Sequence, residues 1–480
     1  MNVSLPKPIF EKLLSKIKWI KIYSREYGVQ YSEMAILCLS SKAKYHIPSP
    51  SSCQVILPEE NNTAFYIDSD SWNKLVASLN NNYTNNIGKL QNYEKQFFKD
   101  GKNYFIYAKK LSEMNFKGIS NKNISLFYKK YQDKLFRYSV FAWTSFILNN
   151  YVSDRATTIV KKYIQKKSNN YSQQDILASL FHPEKKAAVL KLQNDIALLQ
   201  TKKLNLSFDR LFKKYRWMSC LDIHNKPWSK EEFKKHILDI KPTLSRKPTS
   251  FSEYKKKLQF SNSDYKYLTI ARHFVFIKDA RDDFRRQGVY LAGKFFREIA
   301  NRLHITVEDL SYLQESEVVN WLENNLPIDH ITINERKDGF ILYLNKNNQL
   351  TCLSGKHIPI YLKQLKLSTN ENEKKELKGI VASKGSVKGK VIIVKGVKDL
   401  VKVQNGQILV AVSTHPDYVS AMRKAAAIIT DEGGITSHAA IVAREFGIPC
   451  MVGTINATKL LKDGNMIELD GNKGIIRILK

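Results

Sequence analysis

The residues with the clearest potential for chemistry surround one histidine, His438. Four glycine or hydroxyl residues precede it: Gly433, Gly434, Thr436 and Ser437. A histidine in the first turn of a helix lies beside backbone N–H groups that have no helical partner, and these groups attract an anion. Its unperturbed pKa of about 6.5 leaves a neutral, nucleophilic imidazole at neutral pH. The pattern is compatible with a histidine that carries a phosphoryl group. The spacing alone favours the other interpretation, an ordinary histidine at the start of a helix.

The surrounding residues predict the elements that position His438. The apolar run 425–430 is typical of a short buried strand, and the glycine pair after it allows a tight turn. Thr436 or Ser437 can cap the next helix. Its buried face is marked by apolar residues at helical spacing: Ala439, Val442, Ala443 and Phe446. Because Gly447 ends this pattern, we expect a strand, a glycine turn and a short helix, with the imidazole at the turn.

The run GGITSHAAIVAREFGIPCMVGT begins at Gly433 and resembles the phosphohistidine swivelling domain of the PEP-utilising enzymes. This family includes PEP synthase, pyruvate phosphate dikinase, enzyme I of the sugar phosphotransferase system and the rifamycin phosphotransferases. The resemblance implies that His438 carries the phosphoryl group and that the domain has a compact β/β/α fold. It also implies which residues hold the phosphoryl oxygens: Gly433, Gly434, Thr436 and Ser437.

A charged stretch, residues 272–286, precedes that domain. Lys278, Arg281 and Arg285 fall on nearly one helical face, which can clamp an anionic group. The aspartates among them favour the alternative of a solvated face with local ion pairs: Asp279, Asp282 and Asp283. The stretch is similar to the helical substrate domain of rifamycin phosphotransferases, where an Arg–Glu pair and a following basic residue lie near the acceptor. That resemblance makes Lys278 and Arg281 the candidate acceptor-site residues.

The order of these patterns predicts an α+β multidomain chain. Residues 1–84 read as mixed α and β, residues 85–366 as mainly helical, residues 367–378 as a polar linker and residues 379–480 as the phosphohistidine domain. Helices are expected at 90–109, 124–149, 151–166, 183–204, 229–238, 265–303 and 315–322, and strand-like alternation at 331–344. A linker of about a dozen residues can extend about 30–40 Å, which would let one histidine visit two sites.

Composition limits the classes of partner. The formal net charge is +32, and such a charge can favour nucleic acid, anionic membranes or phosphorylated ligands. Lysine and asparagine are spread along the chain without a basic stripe or a nucleic-acid motif, so we favour compositional drift over nucleic-acid binding. Five scattered cysteines without a C-x-x-C pair predict reduced thiols in a cytoplasm and no metal site. No stretch is long and apolar enough to predict a membrane span.

Two modules of the resembled family are not recognisable. Residues 1–370 lack the elements of an ATP-grasp domain, and the sequence ends where the dikinases continue into a barrel for PEP or pyruvate. The resemblance therefore implies a split phosphotransferase. A separate ATP-grasp protein would bind ATP and Mg²⁺ and charge His438, which would pass the phosphoryl group to an unknown small-molecule or pyruvate-like acceptor. Two other interpretations stay open: a non-catalytic phosphohistidine carrier or scaffold, and a basic nucleic-acid-binding protein.

Overall fold

The structure, a computed structural model, describes residues 17–479 except 60–61, 167–172, 183–184, 186, 201–206, 239–250, 360–361, 363–375, 415 and 436. An N-terminal sheet and a long helical region are followed by a strand-rich C-terminal domain. This architecture confirms the predicted α+β multidomain class. Within the described ranges, no helix combines the length and the apolarity that a bilayer crossing requires.

The N-terminal sheet is antiparallel and draws on two distant parts of the chain. Its strands are β1 (Trp19–Arg25), β2 (Gln54–Glu59), β3 (Asn62–Asp68), β4 (Phe340–Leu344) and β5 (Leu350–Ser354). They are arranged in the order β1-β3-β2-β4-β5, and all neighbours are antiparallel. Helix α1 (Val29–Leu37) packs on β2 and β4, and α2 (Ser69–Leu79) follows β3. The sheet thus joins strands from both predicted regions, 1–84 and 85–366.

The helical region lies between β3 and β4. It consists of α3 (Ile87–Glu113), α4 (Asn121–Lys166), α5 (Gln173–Leu180), α6 (Ala188–Gln200), α7 (Phe208–Tyr215), α8 (Lys230–Leu238), α9 (Phe251–Leu258), α10 (Asn262–Arg302), α11 (Val307–Ser311), α12 (Glu315–Asn324) and α13 (His330–Asp338). A capping box begins α11, with Thr306 and Asp309 bonding reciprocally. The region therefore follows the sequence pattern closely, with two differences.

The first difference is that α4 is continuous where two helices were predicted. The expected break after Asn149 is absent because no proline or glycine interrupts the run, and Asn149 itself is fully buried in the core. The second concerns residues 331–344. They form helix α13 before strand β4 begins at Phe340, because Asp329 caps the helix and Gly339, at φ 155°, ends it. The predicted strand alternation was therefore wrong over the first half of that segment.

Three long helices, α3, α4 and α10, form the core of the helical region. The rings of Tyr104 and Tyr138 stack at 5.7 Å, and the Tyr104 hydroxyl lies 2.8 Å from that of Tyr131. A β carbon at Gly288 would lie 2.2 Å from the Tyr104 ring. The close approach of α3 and α10 thus depends on a glycine at this position, and it fixes how α10 presents its charged residues.

The C-terminal domain is one eight-stranded sheet with three helices. Its strands are β6 (Glu376–Lys378), β7 (Ile380–Ser383), β8 (Ser386–Val394), β9 (Ile408–Ala411), β10 (Ala427–Thr430), β11 (Cys450–Val452), β12 (Met466–Asp470) and β13 (Ile475–Ile478). Its helices are α14 (Val419–Lys424), α15 (His438–Phe446) and α16 (Ala457–Leu460). Strand β6 occupies the last three residues of the predicted linker 367–378, and the remaining residues of that linker lie outside the described ranges.

The strand order of this sheet determines where a site forms. The order is β6-β13-β12-β8-β9-β10-β11-β7, and β8, β9, β10 and β11 run parallel to one another. The loops that follow parallel strands meet at one edge of a sheet, where open α/β sheets usually bind their ligands. The loop that carries His438 follows β10 and therefore lies at this edge.

Candidate active site

The His438 loop has the predicted order of strand, glycine turn and helix. Gly433 adopts φ 107°, and a β carbon there would lie 2.8 Å from the β carbon of Ser437. Ser437 is the N-cap of α15 because its hydroxyl accepts a hydrogen bond from the Ala440 N–H at 3.2 Å. His438 is thus the first residue of the helix, and Gly447 ends it in the left-handed region. Thr436 lies outside the described residues.

Polar side chains fix this loop from both sides. The buried Asp431 carboxylate accepts hydrogen bonds from the Thr454 hydroxyl at 3.1 Å and the Thr458 N–H at 3.2 Å, and burial raises its pKa. On the other side, Arg444 Nη1 donates to the Ile435 carbonyl at 2.7 Å. These contacts fix the loop to the rest of the C-terminal domain, and the loop therefore holds His438 in place.

The imidazole of His438 is oriented by a threonine. The hydroxyl of Thr414, just after β9, lies 2.9 Å from His438 Nδ1. When Nδ1 carries the ring proton it donates to this hydroxyl, and Nε2 then keeps its lone pair as the nucleophile. The contact with Thr414 thus orients the ring and is compatible with the tautomer that can accept a phosphoryl group on Nε2.

His438 lines a cavity of about 130 Å³ between the C-terminal domain and the rest of the chain. One wall comes from the loops after β9 and β10, and the opposite wall from β1, the segment after it, α1, α4 and α10. The opposite wall is rich in aromatic side chains: Tyr27, Tyr31, Tyr138, Trp143 and Phe146. The cavity thus offers a largely apolar lining with charged groups, directly across from the histidine.

The charged groups of that wall come from the predicted stretch of α10. Lys278, Arg281 and Arg285 line the cavity together with three aspartates. Arg285 is only 5% exposed. It donates to the Tyr27 hydroxyl at 2.8 Å and to Asp282 Oδ1 at 3.0 Å. The solvated helix face that the sequence pattern favoured was therefore wrong, because the aspartate partners are enclosed with the cations.

Enclosure changes the ionisation of these carboxylates. Burial raises the pKa of Asp283 to about 7 and that of Glu432 on the His438 loop to about 7. Burial lowers the pKa of Lys278 and raises that of Asp279, although their opposite charges offset part of each shift. For Asp282 burial is outweighed by surrounding arginines, which hold its pKa well below its usual range. Asp282 therefore stays charged well below neutral pH.

The two walls are joined by specific polar contacts. Arg25 at the end of β1 donates to the Ser413 hydroxyl at 2.5 Å, and the Val397 N–H donates to Glu26 at 3.2 Å. The fully buried Arg286 pairs with Asp417 at 3.0 Å. These contacts hold the C-terminal domain in an orientation that directs the edge carrying His438 toward α10.

The predicted site residues reach the cavity to different extents. Lys278, Arg281, Gly433, Ser437 and His438 all line it. The remaining glycine of the pair, Gly434, faces α4 instead, where its β carbon would lie 3.9 Å from Asn150 Oδ1. The Ser437 hydroxyl is engaged as a helix cap.

Sequence reasoning missed three residues of the cavity: Arg25, Thr414 and Glu432. Thr414 and Glu432 follow adjacent parallel strands, so the rule that such loops share an edge would have placed them beside His438. Arg25 carries no comparable signal because it lies in the N-terminal sheet, far from the motif in sequence. As for a metal, no group of three or more His, Cys, Asp or Glu side chains in the described ranges is arranged to hold one.

Comparisons with known proteins agree with the site. Residues 403–474 match the family described as PEP-utilising enzyme, mobile domain. A probable phosphoenolpyruvate synthase from Methanothermobacter thermautotrophicus is 51% identical over 113 residues, 23% of this chain and 16% of that protein. The phosphoenolpyruvate synthase of Pyrococcus furiosus is 54% identical over 100 residues, 21% of this chain and 12% of that protein. The C-terminal domain therefore belongs to the mobile-domain family of the PEP-utilising enzymes, a family of phosphotransferases.

The likeness to these two synthases covers about a fifth of the chain. The chain spans 16% and 12% of the lengths of the two synthases. The solution structure of an Enzyme I protein aligns with 61% of this chain and 81% of its own at 15% identity, and its TM-score of 0.17 is too low to indicate a shared overall fold. What the helical region does must therefore be argued from its own residues.

Proposed function

We propose that the chain is a phosphotransferase component in which His438 carries a phosphoryl group to an acceptor bound in the cavity. The observation that supports this most directly is the position of His438. Its ring is oriented by Thr414, and it shares one enclosed cavity with the charged residues of α10. The proposal would have lost its support if the charged face of α10 lay far from His438 or if His438 were sealed in the hydrophobic core.

The reaction begins with attack on the phosphoryl donor. While the Nδ1–H group donates a hydrogen bond to the Thr414 hydroxyl, Nε2 forms the bond to phosphorus and the leaving group departs. The amides at the start of α15 lie where the phosphoryl oxygens of the product would be, since the first N–H groups of a helix lack partners. In the proposed function Gly433 and Gly434 shape this loop, and Thr436 and Ser437 add hydroxyl groups to it.

Donor and acceptor are proposed to bind in different places. ATP and Mg²⁺ would be bound by a separate ATP-grasp protein, and the C-terminal domain would move between that partner and the cavity. The acceptor, a small hydroxylated or pyruvate-like molecule, would bind against α10, where Lys278 and Arg281 lie opposite His438. The docked arrangement then corresponds to the step in which the phosphoryl group leaves the histidine.

Chemical phosphorylation tests the proposal without knowledge of the partner. Potassium phosphoramidate donates a phosphoryl group to reactive histidines, and a phosphohistidine is labile in acid and stable in base. We expect the wild-type chain to acquire such a label and His438→Ala to lose it. The control is His330→Ala, since His330 is an exposed histidine at the start of α13, and this variant should label like the wild type.

A second measurement tests the proposed donor. The chain is incubated with ATP labelled at the β or γ phosphate, Mg²⁺ and a candidate ATP-grasp protein. Transfer of the label to His438 supports the split enzyme. A wild-type chain that accepts no label from phosphoramidate would overturn the carrier role itself, and a label that remains in His438→Ala would place the reactive group elsewhere.

A further inference from the structure

Arg25 occupies the junction between the two walls of the cavity. It lies at the end of β1, lines the cavity with His438 and is half-buried. Its Nη1 donates to its neighbour's carbonyl, that of Ser24, at 2.8 Å and to the Ser413 hydroxyl at 2.5 Å. Ser413 directly precedes Thr414, whose hydroxyl contacts His438. The guanidinium is therefore one residue away from the group that orients the nucleophile.

Several guanidinium donors around this cavity have no acceptor. The Nε and Nη2 groups of Arg25 make no hydrogen bond to the described residues. The Nε groups of Arg281 and Arg285 are buried and likewise lack a hydrogen-bond partner in the described part of the chain. Buried donors without acceptors are costly. The two buried donors of Arg281 and Arg285, with the half-buried Arg25 beside them in the cavity lining, therefore indicate a place for an oxyanion.

The charges around the cavity agree with the hydrogen bonds. Arg285, Arg281, Arg286 and Arg25 all lower the pKa of Asp282, and Arg285 donates to its Oδ1. A guanidinium presents two parallel N–H groups that match the spacing of phosphate oxygens. A dianionic phosphoryl group would therefore supply acceptors for the unmatched donors of these arginines.

We propose that Arg25, with Arg281 and Arg285, forms an arginine cradle that binds the phosphoryl oxygens as the group leaves His438. The cradle rests on the proposed function, and it adds a ligand class, a tetrahedral oxyanion, and a catalytic residue from the N-terminal sheet. In the transfer step the bond between Nε2 and phosphorus breaks, and the electron pair returns to the ring. An acceptor hydroxyl oxygen bonds to phosphorus, and its proton passes to a cavity carboxylate such as Glu432. The arginines balance the charge on the three phosphoryl oxygens throughout.

Inorganic phosphate is the probe for this cradle. Trp143 lines the cavity, so its fluorescence reports binding, and Trp143→Phe identifies its share of the signal. We expect saturable binding to the wild-type chain and at least about tenfold weaker binding to Arg25→Ala, the loss of a bidentate charged contact. Arg25→Lys should fall between the two, because the lysine keeps the charge and lacks the fork. Lys388→Ala, an exposed lysine elsewhere on the domain, should bind phosphate like the wild type.

Ser413→Ala distinguishes a phosphoryl-binding arginine from a docking contact. This variant removes the hydrogen bond that Arg25 gives to the C-terminal domain and leaves the guanidinium in place. The cradle predicts phosphate binding within about threefold of the wild type, whereas a purely structural Arg25 predicts that Ser413→Ala and Arg25→Ala weaken binding equally. Equal weakening, or unchanged binding in Arg25→Ala, would overturn the cradle. Phosphoramidate labelling of His438 in the same variants tests the proposed function separately.

Discussion

The two walls of the cavity obtain their chemistry in opposite ways. The His438 loop is built from local features: a strand end, a glycine at φ 107°, a serine cap and a left-handed glycine after the helix. The charged stretch of α10 depends on residues far away in the chain. Arg285 contacts Tyr27 and Arg286 pairs with Asp417. A reactive group can thus be encoded within twenty residues, whereas the wall that it meets requires the whole fold.

The largest effect should come from removing one of the long-range contacts of α10, the pair of Arg286 with Asp417. Arg286→Met removes the guanidinium that contacts Asp417 and the Met218 carbonyl, and breaking a buried ion pair costs about 3–5 kcal/mol. We expect that loss in the free energy of unfolding measured in urea. Arg137→Met serves as the control because its ion pair with Asp133 is exposed, and it should change stability by less than about 1 kcal/mol. A small effect of Arg286→Met would mean that the domains hold together without the pair.

Gly433→Ala tests the local features that build the His438 loop. An alanine at φ 107° is strained, and its β carbon would lie 2.8 Å from that of Ser437, so the loop must shift at a cost of about 1–3 kcal/mol. Phosphoramidate labelling of His438 should slow by about tenfold or more. Gly447→Ala is the matched control, because Gly447 is also left-handed and its β carbon meets nothing within 4 Å. It should lower stability without slowing labelling, and equal slowing in both would contradict a role for the turn itself.

Thr414→Val tests the link between adjacent parallel strands. Valine keeps the shape of threonine and cannot bond to His438 Nδ1, so the nucleophilic tautomer loses its support. We expect labelling to slow by about fivefold to tenfold, which corresponds to about 1 kcal/mol. Thr414→Ser retains the hydroxyl and should label nearly as fast as the wild type. If valine and serine behave alike, the hydroxyl does not orient the ring.

Glu432→Gln sharpens the electrostatic comparison and should have the smallest effect. Burial raises the pKa of Glu432 to about 7 from an ordinary value of 4.5, so the folded state retains a proton that the unfolded chain releases. Glu432 therefore imposes no penalty below pH 4.5, and stability falls as the pH rises from 4.5 to about 7. Between pH 6 and 7 the wild type should lose about 1 kcal/mol more than Glu432→Gln in urea unfolding. Glu113→Gln, an exposed control, should follow the wild type.

The same contrast explains how much the sequence could predict. Strand β10 and helix α15 match the predicted strand, glycine turn and helix to within a few residues, because strand periodicity, turns and caps are local. The enclosure of Lys278, Arg281 and the three aspartates could not be read from helical periodicity, since a charged stripe looks the same whether solvent or another domain covers it. Arg25 was unpredictable for the same reason. Its environment is set by Ser413, which is distant in sequence and adjacent only after docking.

The pairing of β2 with β4 has a mechanical consequence. The helical region begins after β3 and ends before β4, and both strands belong to the same sheet. The sheet therefore anchors both ends of the helical region. Tension transmitted along the chain from the C-terminal domain would load the backbone hydrogen bonds of β5 and β4 before it reached α4 or α10. If the C-terminal domain moves as proposed, the half of the cavity that α4 and α10 build would keep its shape.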